Sequence, residues 1–337
     1  MNLDEDESVS DILSEIDETA RDVHHETKLV QIPKVHLVVV ACEGKSKSAL
    51  DEAHNMIKSA VLLSIDPKIK VTIFTNEGNE DHVRSLFLSW PVSAQERIQL
   101  NVRTVHYPLP PEEVSEFRDW WGPCASFRLF LPEVLSDVDS VIYVDSDVLF
   151  LAPPQDLWSH FDKFDERQVG ALAPRVGWDF KVPGSNPNFI LRAGAGMTQV
   201  NSGVFLMNLT RMREPVFNTA ESISLNSFKW DKDLLLPLYY RNKKDMFGDQ
   251  NLINTAFHYN PGTTFYNNYS PVFKAINDGF TKYNWQNDLT EHLYREIEQR
   301  VRDPSVENHE HCGGHSETFL KTLRIFVEKY KTLDRVI

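Results

Sequence analysis

Apolar positions along the first half of the chain alternate between runs and helical stripes. VHLVVVA (35–41) is a continuous apolar run, as a strand buried on both faces requires. In the following segment SALDEAHNMIKSAVLL, residues Leu50, Ala53, Ile57, Ala60 and Val61 share one helical face, with Ser48 and Asp51 at capping-box-like spacing. KVTIFT (70–75) predicts a second strand and IQLNVRTV (98–105) a third with some alternation. ASFRLFLPEVL (125–135) has helical spacing around Pro132, and SVIYV (140–144) predicts another short buried strand. This order implies an α/β fold with a doubly wound, mostly parallel sheet and right-handed crossovers.

Further on, GALAP (170–174) and GVFLMNL (203–209) read as strands, separated by a long Gly- and Asn-rich stretch. Loops of that length are uncommon without a function. The tail predicts two amphipathic helices, one through Leu289, Leu293, Ile297 and Val301, the other through Phe319, Leu320, Leu323, Phe326 and Val327. A His-rich turn, ENHEHCGGHSE, lies between them. No repeat and no clear linker follows residue 34.

In doubly wound sheets ligands gather outside the carboxyl ends of the strands. Asp145 and Asp147 stand at that end of their predicted strand, and Ala41–Lys45 at that end of the first, so both are expected to face one pocket. Two carboxylates one residue apart suit a hard divalent cation, Mg²⁺ or Mn²⁺, with room for phosphate ligands. The plainer alternative is a solvated acidic turn at the sheet edge. The apolar flanks VIYV and VLFLAP weaken it, because charge beside buried hydrocarbon needs an offset.

A cation there could neutralise the diphosphate of a sugar nucleotide. It could also serve a phosphohydrolase in which Asp145 is the nucleophile, since VIYVDSDVL and FGDQNLIN resemble elements of the haloacid-dehalogenase type. Against that stand Leu149 at the Thr/Val position, a motif placed after two βα units, and Lys243/Lys244 crowding Asp249.

Other stretches suit the transferase. PCASFRLFLPEVL carries Arg128, a guanidinium fit for a diphosphate, or else a surface ion pair. QVNSGVFLMNL puts Asn201, Ser202 and Gly203 before a strand, where amide, hydroxyl and a close-approach glycine suit a sugar, or else form a plain turn. MFGDQNLIN begins a helix with Asp249 and Gln250 in its first turn; Asp249 could be only a cap, but Gln250 has no structural reason to be there. His309, His311 and His315 are a nitrogen source for a third ligand, which would favour Mn²⁺.

Composition narrows the field. With 337 residues, 41% hydrophobic and 20 Phe, the chain can build a large core. A net charge of −14 argues against sequence-independent nucleic-acid binding. Much of the excess lies in residues 1–33, with ten acids against two bases, read as a disordered acidic leader or stem ahead of a single domain over 34–337. No apolar run spans a membrane and the N-terminus is no signal peptide. Cys42, Cys124 and Cys312 lack zinc spacing, and their odd number leaves at least one unpaired. Sequons at Asn208–Thr210 and Asn268–Ser270 permit glycosylation in a secretory lumen.

Taken in order, VVVACE, CASFRLFLP, VDSVIYVDSDVLFLAPPQDLW, NSGVFLMNLTRMR and GDQNLINTAFHYNP resemble glycosyltransferase family 8, and most of all its glucoside xylosyltransferases. The likeness covers residues 35–262. It implies a single GT-A, Rossmann-like domain and a retaining transfer of xylose from UDP-xylose, with Mn²⁺ (Mg²⁺ as substitute), to O-linked glucose on EGF-like repeats of a glycoprotein. It also implies a type II membrane protein of the ER or Golgi, although the sequence shows no anchor.

By this resemblance Asp145 and Asp147 hold the metal, and Ala41, Cys42, Glu43, Arg128 and Ser146 meet the nucleotide. Asn201, Ser202 and Trp178 meet sugar and acceptor, and Asp249 and Gln250 serve the reacting carbon. From about residue 263 the tail diverges, so His311, with His315 as alternate, stands in for the third ligand. Another UDP-sugar donor, or a UDP-binding member without turnover, are the alternatives.

Overall fold

The computed structural model describes residues 34–43, 49–118, 124–174, 200–219, 227–246, 248–260, 262–265 and 280–282. The strands are β1 His36–Val40, β2 Ile69–Thr75, β3 Ile98–Thr104, β4 Ser140–Val144, β5 Val148–Phe150, β6 Gly170–Pro174, β7 Val200–Asn208, β8 Thr264–Phe265 and β9 Phe280–Lys282. Helices are α1 Ala49–Leu63, α2 Glu80–Leu88, α3 Val92–Gln95, α4 Pro111–Arg118, α5 Leu131–Val134, α6 Pro154–Trp158, α7 Leu209–Met212, α8 Lys232–Asn242 and α9 Asp249–Tyr259.

Seven strands form one sheet in the order β3-β2-β1-β4-β7-β6-β8, and β5 pairs with β9 apart from it. β3, β2, β1 and β4 run parallel, joined by helical crossovers, as the sequence pattern predicts. β7 is antiparallel to both β4 and β6, so the sheet is mixed beyond β4.

Side-chain alternation splits the core into two layers. Leu37, Val39, Ile142, Val144 and Leu206 pack on one face with Leu50, Ala53, Ile57, Ala60 and Val61 of α1, the stripe read from the sequence. Val38, Val141, Tyr143, Phe205 and Met207 pack on the other with Phe127, Phe130 and residues of α8 and α9.

Two sequence expectations change. The helical stretch 125–135 is a 3-10 helix, Ala125–Phe130, followed by the single turn α5. Pro132 explains the break, since it has no N–H to donate back to the preceding turn, yet is tolerated in a first helical turn. β7 begins at Val200, so Asn201, Ser202 and Gly203 lie within the strand instead of in a turn ahead of it. Ser48, Trp178, the long loop, Asn268, Cys312, the tail helices, His309, His311 and His315 lie outside the described residues.

Candidate active site

The site forms where the carboxyl end of β4 meets the start of β7 and the first turn of α9. Strand pairing runs Tyr143 opposite Phe205 and Val144 opposite Val204. Continued one step, it sets Asp145 against Gly203, and the Asp145 N–H donates to the Gly203 carbonyl at 2.8 Å. A Cβ on Gly203 would lie 2.8 Å from Asp145 Oδ2 and 3.1 Å from Asn201 Oδ1. Glycine is what lets the Asp145 carboxylate lie against the neighbouring strand.

β6 and β7 lose register at the same place. Leu172 pairs with Phe205 but the next residue, Ala173, pairs with Asn201. Three residues of β7 (Ser202–Val204) thus bulge away from β6, a distortion that re-aims backbone groups beside functional sites.

Arg128 links the pieces. Its Nε and Nη2 bond the two oxygens of Asp249, the latter at 2.8 Å, while Nη1 donates to Asp145 Oδ1 at 2.9 Å and to the Ser202 carbonyl at 3.1 Å. Arg128 is 7% exposed and Asp249 1%. Burial opposes the charge on Arg128, but the Asp249 and Asp145 carboxylates outweigh it and raise its pKa well above the ordinary value. The guanidinium also lies over the Tyr143 ring, and the Tyr143 hydroxyl donates to Asp145 Oδ1 at 2.8 Å. Burial first, and then the Asp145 charge, push the Tyr143 phenol up, so it stays protonated as a donor.

The turn carrying Arg128 is fixed from several sides. The Ser126 hydroxyl donates to the Phe117 carbonyl, Trp230 Nε1 donates to the Leu129 carbonyl at 2.9 Å, and Phe127 packs on Phe74 and Tyr107. Cys124 precedes it in the left-handed conformation, φ 60°, and forms a disulfide with Cys42, Cα–Cα 6.0 Å. The bond ties the end of β1 to the Arg128 turn. Disulfides persist in oxidising compartments. Among the described residues, no helix is long and apolar enough to cross a membrane.

The other expected residues cluster nearby. Ala41 and Cys42 are buried, with the Ala41 N–H donating to the Phe74 carbonyl at 2.8 Å. The Glu43 N–H donates to Asn76 Oδ1 at 3.0 Å, and Asn79 Nδ2 donates to the Glu43 carboxylate at 3.4 Å. Ser146 donates to Glu52 of α1 at 3.0 Å.

Ser202 is fully buried; its N–H and hydroxyl both reach Gln250 Oε1 at 3.1 Å. Asn254 of α9 clamps Val200 through both backbone groups, 2.7 and 3.2 Å. Asp249 is not the cap of α9; Gly248 precedes it, and Asp249 is the helix's first residue, its carboxylate bound to Arg128.

Sequence reading did not single out Tyr143, Glu52, Asn76, Asn79, Asn254 or the disulfide. Strand periodicity could have found Tyr143, two residues before Asp145 on the same face. The Cys42–Cys124 separation of 82 residues carries no such signal.

Among the described residues, the carboxylates Asp145 and Asp249 both bond Arg128, and Asp147 lies two positions beyond Asp145. The excess negative charge and all-oxygen donors Asp145 and Asp147 fit a hard divalent cation. Among the described residues no group of three or more His, Cys, Asp or Glu could hold a metal by itself.

A paired-carboxylate strand end in a sheet of this order can be set beside known proteins. Residues 44–305 match the profile of glycosyl transferase family 8. The chain belongs to that family. Glucoside xylosyltransferase 1 of Gallus gallus is 31% identical over 86% of this chain and 72% of its own length. Glucoside xylosyltransferase 1 of Rattus norvegicus is 38% identical over 69% of this chain, which spans half of that relative.

Glucoside xylosyltransferase 2 of Mus musculus is 30% identical over 88% of this chain and 73% of its own. The apo crystal structure of mouse xyloside xylosyltransferase 1 gives a TM-score of 0.47 at 16% identity, over 68% of this chain and 84% of that one. Family 8 membership fixes the class as glycosyltransferase and sets aside the phosphohydrolase.

Proposed function

We propose that the protein transfers xylose from UDP-xylose, with retention, to the 3-hydroxyl of O-linked glucose on EGF-like repeats of a glycoprotein. The observation that carries the reading is the β4 end, where paired carboxylates, one of them braced by Arg128, occur in a chain 30–38% identical to glucoside xylosyltransferases. Asp145 and Asp147 would hold Mn²⁺, or Mg²⁺, with His311 or His315 as the third ligand. When bound, the cation supplies Lewis-acid neutralisation of the diphosphate. Ala41, Cys42, Glu43 and Ser146 border the nucleotide in this reading, and Trp178 offers an aromatic face to the acceptor.

The residues support a front-face reaction. Asp249 is 1% exposed, with both carboxylate oxygens on Arg128, and so is not open to attack an anomeric carbon as a retaining glycosidase nucleophile would. The departing phosphate oxygen then takes the acceptor's proton. Arg128 bonds both oxygens of Asp249 and Oδ1 of Asp145 and so aligns the two side chains, and the Tyr143 hydroxyl donates to the same Asp145 oxygen.

The reading places the protein in the secretory lumen as a type II membrane protein, and the buried disulfide supports the lumenal setting. The test is a screen of UDP-sugars by UDP release with Mn²⁺ and a glucosylated EGF-like repeat. Preference for UDP-xylose, abolished by Asp147→Asn, is the expected result. Preference for another UDP-sugar, or turnover that survives chelation, overturns the proposal.

A further inference from the structure

The sequon Asn208-Leu209-Thr210 lies where β7 runs into the single turn α7. Leu209 is fully buried in the aromatic layer, and its N–H donates to the Asp139 carbonyl at 2.7 Å. The residues on either side reach the surface, Asn208 half-buried and Thr210 exposed. Asn208 caps α7, its Oδ1 accepting from the Arg211 N–H at 2.9 Å. A backbone N–H accepts nothing, so the amide must offer it oxygen, and that fixes the place of the nitrogen. Among the described residues Nδ2 has no hydrogen-bond partner, and it is not fully buried, so it meets solvent. The Asn208 backbone N–H is already satisfied by the Val169 carbonyl at 2.8 Å. The cap uses one end of the side-chain amide and leaves the other open.

We propose that Asn208 is a site of N-linked glycosylation. The inference rests on the lumenal placement supported by the Cys42–Cys124 disulfide, and not on which sugar the enzyme transfers. In the modifying reaction the Asn208 nitrogen forms a bond to the anomeric carbon of a diphosphate-linked oligosaccharide. The bond from that carbon to phosphate oxygen breaks with its electron pair on the oxygen, and the amide gives up one proton. The product is a secondary amide, which keeps its carbonyl oxygen and one N–H. Oδ1 therefore goes on capping α7 with the glycan attached. Modification meets the chain as it emerges, so folding has to accommodate a glycan already in place. A buried nitrogen would bar the modified chain from this fold; an open one admits it.

The position also leaves the active site clear. Asn208 pairs with Ser140, the first residue of β4, whereas Asp145 follows the last. The 5 residues of β4 set the two ends about 17 Å apart. A glycan on Asn208 stands at the end of the sheet away from the paired carboxylates.

The test is expression of the full chain through the secretory lumen of cultured cells, then peptide mass analysis with and without peptide N-glycosidase. That enzyme converts a glycosylated Asn to Asp, so occupancy is read at Asn208 and separately at Asn268. Conversion at Asn208 in most of the protein is the expected result. Asn208→Asp retains an oxygen for Arg211, so it should melt close to wild type while losing the glycan. Thr210→Ala should lose it too, and Thr210→Ser should keep it. An unconverted Asn208 in lumenal protein whose Cys42–Cys124 bond has formed overturns the inference. Free thiols at both cysteines in protein from its native cells refute the lumenal placement, and this inference with it. The readout is peptide mass and not turnover, so failure of the transferase reading and failure of this inference are separate results.

Discussion

Replacing Arg128 by Met tests how the site is held together. The guanidinium is 7% exposed and serves four acceptors: both oxygens of Asp249, one of Asp145 and the Ser202 carbonyl. Met fills similar volume but answers none of them. Asp249, 1% exposed, becomes a buried carboxylate without its cation, whereas Asp145 has a side chain 20% exposed and keeps the Tyr143 hydroxyl. Breaking a buried pair from one side costs about 3–5 kcal/mol, and most of that falls on Asp249.

Against a domain stability of about 5–15 kcal/mol, the variant should fold but melt roughly 8–12 °C lower. Adding Asp249→Asn removes the stranded charge, so the double variant should recover about 2–3 kcal/mol over Arg128→Met alone. Urea unfolding followed by tryptophan fluorescence, with the disulfide intact, measures both. A loss below about 1 kcal/mol for Arg128→Met, or a double variant no more stable than the single, would refute the buried-pair account.

Three further outcomes follow from the same structure. His36 and His54 are held neutral, chiefly by burial, with Lys70 and Arg103 adding to the effect at His36 and Lys58 at His54, and both pKa values are lowered to about 3. The unfolded chain binds their protons near pH 6.5, so stability is complete above that and falls toward pH 3 by up to about 1.4 kcal/mol per pH unit for each imidazole. A urea midpoint that His36→Gln leaves just as pH-dependent would count against it. Reducing Cys42–Cys124, which closes an 82-residue separation, should cost about 4–5 kcal/mol by chain entropy and lower the melting temperature; no change on reduction contradicts this. Gly203→Ala should cost about 1–3 kcal/mol yet abolish turnover, because its Cβ displaces Asp145; full activity in a folded Gly203→Ala protein would show that the close approach is dispensable.

The layered sheet was legible because buried parallel strands leave continuous apolar runs and α1 leaves a stripe. Asp145, Asp147, Arg128 and Asp249 were legible as chemistry, since charged groups flanked by VIYV, LFLP and LIN need partners. Their mutual pairing was not. Arg128 and Asp249 are 121 residues apart, and nothing local to either names the other. The β7 bulge was also hidden, because periodicity reports which face a residue takes but not where a neighbour slips register. The plain-turn alternative for Asn201–Gly203 followed from their polarity; the structure keeps them extended and gives the Ser202 and Gly203 N–H groups side-chain partners, Gln250 and Asn201.

The spacing of Arg128's partners has a consequence for biosynthesis. Asp145 emerges 17 residues after Arg128, Ser202 74 and Asp249 121. At about 5–20 residues per second, the nascent chain therefore holds Arg128 without Asp249 for roughly 6–24 s. During that interval the guanidinium stays hydrated, and the layer containing Phe127 and Phe130 cannot close. Docking of α9 is the event that seals it. Ribosome stalling or truncation before residue 249 should thus expose one aromatic face of the sheet to chaperones, even though β1–β4 have already been made.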